Sequence, residues 1–173
     1  MRIILFILLG AAGIILSGSV LSVVNIAGIT PDLLLLTALS VVFLEKTPAG
    51  ILFAGIGGIV YDIMFSYYIG FYALSSVLAV SIAYAILRRM KRVRPLILAA
   101  VGFGAFIVQQ MVMAAVVAAV GYEYSFFYML LRFILPGALI TAVLMLPAYY
   151  LIRILYVKNW MTPTKSLYDD FIE

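Results

Sequence analysis

Two carboxylates and one guanidinium interrupt stretches of the chain that are otherwise apolar: Asp32, Asp62 and Arg132. An ionised side chain at the centre of a bilayer costs roughly 2.5–3.5 kcal/mol even on insertion scales, so each group must meet a partner or reach water. Three kinds of chemistry suit these residue types. A carboxylate pair can act as general acid and base, but it needs a nucleophile, a metal or a second matched base nearby. The chain has no Cys and no His, which removes thiol nucleophiles, thiolate metal sites and the usual base near pH 7. Acid–base catalysis is therefore disfavoured, and no cofactor is implied. A proton or cation relay is the second possibility. The third is a structural cluster in which Asp62 pairs with Arg132 and Asp32 lies alongside, against separate snorkelling of each group to the surface. The cluster is the working expectation.

The elements that must position these groups follow from composition. Of 173 residues, 67% are hydrophobic and 10% charged, whereas a soluble domain runs nearer 45–50% and about 25%. The excess of apolar surface calls for lipid as solvent, so the chain is expected to be an all-α integral membrane protein. Five of the eleven Lys and Arg lie in "RRMKRVR", residues 88–94. A nucleic-acid surface would need aromatic or groove-reading neighbours on a soluble face. None surrounds this run, so it reads as a cytoplasmic loop and implies no nucleic-acid partner.

About 20 apolar residues cross the hydrocarbon core, and the sequence offers six such runs. The first extends from Ile3 to about Val24; a cleaved signal peptide is its rival reading. "TPDLLLL" opens the second, with Thr30 as a cap, Pro31 at the first helical position and Asp32 against the positive end of the helix dipole. That run is short, ending near Leu44 before Glu45 and Lys46. The third spans Pro48 to about Phe65, the fourth Phe71 to Leu87, and the fifth Pro95 to about Val120. The last stretch, Phe126 to Val157, is too long for one straight crossing, and Pro136 and Pro147 are expected to kink or divide it. Residues 126–135 then form either a short interfacial helix or part of the sixth span. Residues 1–157 make up the transmembrane domain and 158–173 a short polar cytoplasmic tail.

Sidedness follows from the positive-inside rule. With both termini cytoplasmic, ten of the eleven basic residues lie inside and only Arg132 lies outside. Asp32, Asp62 and Arg132 then share the outer level. Gly50, Ala54, Gly58 and Asp62 recur every four residues and mark one face of the third helix, a small-residue stripe that lets another backbone approach. That face serves either the bundle itself or a partner helix. Gly13, Ser17 and Ser22 suggest a second close-packing face. Gln109 and Gln110 are candidates for hydrogen bonds between helices. Tyr67, Tyr68, Tyr72, Tyr122 and Tyr124 read as an outer aromatic belt, and Tyr149, Tyr150, Tyr156 and Trp160 as an inner one.

Three short motifs occur in order: "ITPDLLLL", "GIVYD" and "IGFYAL". They resemble the Pro-Asp, Gly-x-x-x-Asp and Gly-x-x-Ala-Leu signatures of the MreD family of rod shape-determining membrane proteins. The matching positions are Pro31 and Asp32, Gly58 and Asp62, and Gly70, Ala73 and Leu74. The resemblance implies a non-enzymatic scaffold of the elongation machinery in the bacterial cytoplasmic (inner) membrane, supporting peptidoglycan synthesis and rod cell shape. It implies the bitopic protein MreC as direct partner. The actin-like MreB filament and the wall polymerase and transpeptidase would be indirect partners. It also implies the six-helix fold of the substrate-binding subunits of energy-coupling-factor transporters. That likeness leaves an alternative function, a carrier subunit binding a vitamin-type small molecule in an outward cavity.

The basic asymmetry makes a topological prediction. Reporter fusions after Arg94 and at Glu173 should read cytoplasmic, and fusions after Tyr67 and Tyr122 external. An external C-terminus would overturn the six-span arrangement.

Overall fold

The computed structural model describes residues 2–15, 31–45, 47–66, 70–90, 95–119 and 126–157, and every regular element among them is helical. In chain order these are α1 (Arg2–Ile15), α2 (Leu33–Glu45), α3 (Ala49–Phe65), α4 (Phe71–Leu87), α5 (Pro95–Ala119), α6 (Phe126–Met129) and α7 (Leu135–Val157). Between α6 and α7, Leu130–Ile134 form a π-helical segment. The boundaries of α3, α4 and α5 follow the apolar runs to within a residue. The second half of the first run and the C-terminal tail lie outside the described residues.

Helix α2 is the axis of the bundle. It packs against α1, α3, α4, α5 and α7, and ten of its thirteen residues are buried. A helix apolar on every side is one surrounded by protein or by lipid; here the surroundings are protein. Its length is about 20 Å at 1.5 Å per residue, so the shortness visible in the sequence belongs to a core helix. Helices α3 and α4 invert the soluble pattern. On α4 the inward positions are Ser75, Ser76, Ala79, Val80 and Ala83, while Leu74, Leu78, Ile82 and Ile86 form an exposed row at four-residue spacing. On α3 the exposed residues include Leu52 and Ile56, at 65% and 66% accessibility.

Two helices are long and apolar enough to cross a membrane: Leu96–Ala119 and Leu130–Ile154. Only 28% of the apolar span of each is buried in the protein, unlike the core helix of a soluble domain. The second of these shows what the prolines do. Pro136 does not divide the last stretch; the chain runs helically from Phe126 to Val157. The widened turn lies immediately before the proline and is closed by the Leu135 N–H donating to the Leu130 carbonyl. A proline lacks its own N–H and crowds the preceding turn, and a π-turn is a recognised way for a helix to absorb such a mismatch. Residues 126–135 thus continue into the last helix. Pro147 lies within α7, which is likewise unbroken.

The small-residue stripe of α3 is turned inward. A methyl group built on Gly50 would lie 2.2 Å from Val42 Cγ2 and 2.7 Å from the Ala38 carbonyl oxygen on α2. One built on Gly58 would lie 2.6 Å from Ala73 Cα on α4. Between them, the Ala54 carbonyl accepts a hydrogen bond from the Ser76 hydroxyl of α4 at 3.3 Å. The stripe therefore serves the bundle and is closed to a partner helix. Gly13 of α1 also faces α2, but an added methyl would sit at ordinary contact distance there, 3.6 Å from Leu34 Cα; Ser17 and Ser22 lie outside the described residues.

Gly58→Leu should consequently disrupt the fold itself. Size-exclusion chromatography in detergent should show aggregation and low yield, because backbone lies where the side chain would go. A monodisperse, fully expressed variant would contradict the packing of α3 on α4.

Candidate functional site

The two aspartates lie at the end of the bundle where α2 and α4 begin and α3 finishes. Each does the same work on a different helix. The first amides of a helix have no intrahelical acceptor, and the N-terminus carries partial positive charge. Asp32 precedes α2 and accepts the Leu35 N–H on Oδ1 at 2.9 Å, while its carbonyl takes the Leu36 N–H at 3.1 Å. This is an ordinary side-chain cap at the third helical position. Among the described residues the capping group is Asp32; Thr30 lies outside them. Pro31, buried, stands two residues ahead of the helix rather than at its first position.

Asp62 caps a helix other than its own. It ends α3, its carbonyl taking the Ser66 N–H at 3.0 Å. Its carboxylate reaches across the turn to α4. Oδ2 accepts the amides of Gly70 and Ala73 at 2.9 and 3.1 Å, and Oδ1 accepts that of Tyr72 at 3.3 Å. Asp62 is fully buried, and these three donors explain how its charge is held there. Gly70 makes the geometry possible. Its φ of +101° is the left-handed region that glycine enters without steric cost, and its amide thereby turns back toward Asp62.

The expected pair of Asp62 with Arg132 is not formed. Arg132 is exposed on the π-helical segment, which packs on α5, α6 and α7 but not on α3. The three-member cluster is likewise replaced. Asp32 and Asp62 are joined through Tyr72, whose amide serves Asp62 and whose hydroxyl donates to Asp32 Oδ2. The same Asp32 oxygen accepts Gln109 Nε2 of α5 at 2.8 Å. Tyr72, 7% exposed, is therefore not a belt residue. Its ring stacks on Tyr61 of α3, with centroids 4.3 Å apart, and Tyr61 in turn lies against Phe65. Tyr67, Tyr68, Tyr122, Tyr124 and Trp160 lie outside the described residues.

Every motif position finds a place in this unit or on its borders. Gly70 and Ala73 supply amides to Asp62. Gly58 and Ala73 are the contact point of α3 and α4, with Gly50 and Ala54 extending it. Leu74 alone faces outward, at 51% accessibility. Sequence reasoning missed Tyr72 and Tyr61 as members. The usable signal was a tyrosine ten residues beyond a buried carboxylate and two beyond a turn glycine. It also missed Glu45, buried at the far end of α2 and bonded by the Thr47 hydroxyl at 3.0 Å.

The site contains hydrogen-bond donors and carboxylates but no assembled nucleophile, and no group of three or more acidic side chains gathers among the described residues. What it does is anchor three helix ends and present one half-buried carboxylate, Asp32. Among known proteins, the chain matches no family model, no curated protein and no solved structure.

The capping geometry predicts an asymmetric result. Asp62→Ala leaves buried amides without acceptors and should cost about 3 kcal/mol, the sum expected for a lost cap and unmet donors. Arg132→Ala should leave the melting temperature in detergent nearly unchanged. The double variant should melt with the Asp62 single variant, whereas recovery by the second substitution would restore the ion pair.

Proposed function

We propose that the chain is a non-enzymatic, MreD-type scaffold of the rod elongation complex. It would lie in the bacterial cytoplasmic membrane with six spans and both ends inside. The observation that carries this reading is the convergence of the three motifs on one structural unit. Pro31-Asp32, Gly58-x-x-x-Asp62 and Gly70-x-x-Ala73-Leu74 are separated in sequence, yet they fix the relative positions of α2, α3 and α4. Residues used in this way build a rigid membrane body. A rigid body with large apolar side chains outward suits a protein whose task is to hold others in place.

The direct partner on this reading is an MreC-like bitopic protein, with MreB-like filaments and the wall polymerase and transpeptidase reached through it. The inward Gly50–Ala54–Gly58 stripe is already occupied, so a partner's single helix would pack on the outward apolar faces of the bundle. Without a hydrophobic difference between lipid and side chain, such docking depends on shape and on interhelical hydrogen bonds.

Affinity purification of the intact chain from native membranes, followed by mass spectrometry, tests the proposal. The expected result is stoichiometric recovery of a single-pass membrane protein with a large external domain. Recovery of a vitamin-type small molecule with a transporter ATPase module instead would replace the scaffold with a carrier subunit.

A further inference from the structure

The unmet hydrogen-bond capacity beside Asp32 lies on its neighbour Gln109. An ionised carboxylate offers about four acceptor positions, and Asp32 meets the Leu35 and Leu34 amides, the Tyr72 hydroxyl and Gln109 Nε2. Gln109 is 3% exposed, and its Oε1 has no hydrogen-bond partner. Because Nε2 of the same amide touches Asp32, this orphaned oxygen lies beside the carboxylate. A buried amide oxygen left unmet loses the hydrogen bonds it made to water with nothing in return. All the missing interactions are therefore with a donor, and the local formal charge is negative. The side chain of Gln109 cannot answer this by turning over, since that would place its oxygen against the carboxylate.

The surroundings narrow the chemistry of that donor. Tyr72 and Tyr61 are stacked beside Asp32, and Phe65 extends the aromatic surface, its ring 5.2 Å from that of Tyr61. A divalent cation takes six to eight oxygens or keeps its waters, and here two side-chain oxygen groups meet three aromatic rings. An ammonium group has three donors, needs few acceptors and is attracted to aromatic faces. Asp32 is half-buried at the end of the bundle where α2 begins, and this is the side from which the group would enter.

We propose that Asp32, Gln109 and the Tyr61–Tyr72 stack form a binding site for a primary ammonium group. Asp32 supplies the countercharge, Gln109 Oε1 accepts one N–H, and the stacked tyrosines border the site at the Tyr72 hydroxyl. The ammonium belongs either to an aminophospholipid headgroup or to a small free amine. This site does not depend on the scaffold reading.

The probe is ethanolamine, added as its hydrochloride to the purified full chain in detergent, with sodium chloride and tetramethylammonium chloride as matched controls. Ethanolamine should raise the melting temperature more than either salt. Asp32→Asn, which keeps a capping oxygen, and Gln109→Leu should each weaken the apparent affinity at least tenfold. A second arm embeds the chain in nanodiscs of phosphatidylethanolamine or phosphatidylcholine and reads retained lipid by native mass spectrometry. Preference for phosphatidylethanolamine assigns the ammonium to a lipid, and an ethanolamine shift without that preference assigns it to a free amine. If wild-type protein responds equally to ethanolamine and the two salts and shows no lipid preference, the proposal is overturned. It is also overturned if both variants fold and respond as wild type does.

Discussion

The structure depends on one carboxylate being placed at the start of a helix to which it does not belong. Asp62 stands fully buried at the end of α3, and three amides at the start of α4 converge on its two oxygens. Charge-assisted bonds to backbone amides are stronger than neutral ones, and they discharge two debts at once, the buried charge and the unmet helix N-terminus. The corner between α3 and α4 is thereby fixed. Only with that corner fixed does Gly58 meet Ala73 closely enough to exclude a methyl group. Tyr72 is also placed by it, and Tyr72 carries the constraint onward to Asp32 and hence to α2.

At this corner the contact between α3 and α4 is lined by small and hydroxylated side chains, while the large apolar core gathers around α2. Such contacts rely on close backbone approach, because burial of apolar surface gives little advantage when the alternative is lipid. The ladder of Gly50, Ala54 and Gly58, and the Ser76 hydroxyl bonded to the Ala54 carbonyl, show both means in one helix pair. The fully surrounded α2 is the shortest of the main packed helices, with ten of its thirteen residues buried.

Much of this was legible in the sequence, and the limits have physical causes. Apolar runs and prolines located α3, α4 and α5 because hydrophobic length and helix breakers are local properties. Period four revealed the stripe on α3. It did not reveal the answering helices, since any small-residue face can be met by several neighbours. The sequence pairs Asp62 with Arg132 because opposite charges are visible as letters, whereas backbone amides are present at every position and their orientation is not. It places Tyr72 in the aromatic belt because the same residue type serves at interfaces and in buried hydrogen bonds. Pro136 was visible, but the choice between a division and a π-turn rests on packing that no local pattern encodes.

The central claim is that Asp62 holds the opening amides of α4. Those amides have no acceptor within their own helix, so any protection from exchange must come from elsewhere. Hydrogen–deuterium exchange of the chain in nanodiscs, resolved to the segment containing Gly70, Tyr72 and Ala73, measures this directly. The account predicts exchange as slow there as in the middle of α4, becoming fast in Asp62→Ala while α5 is unaffected. Fast exchange of that segment in the wild-type protein would contradict it.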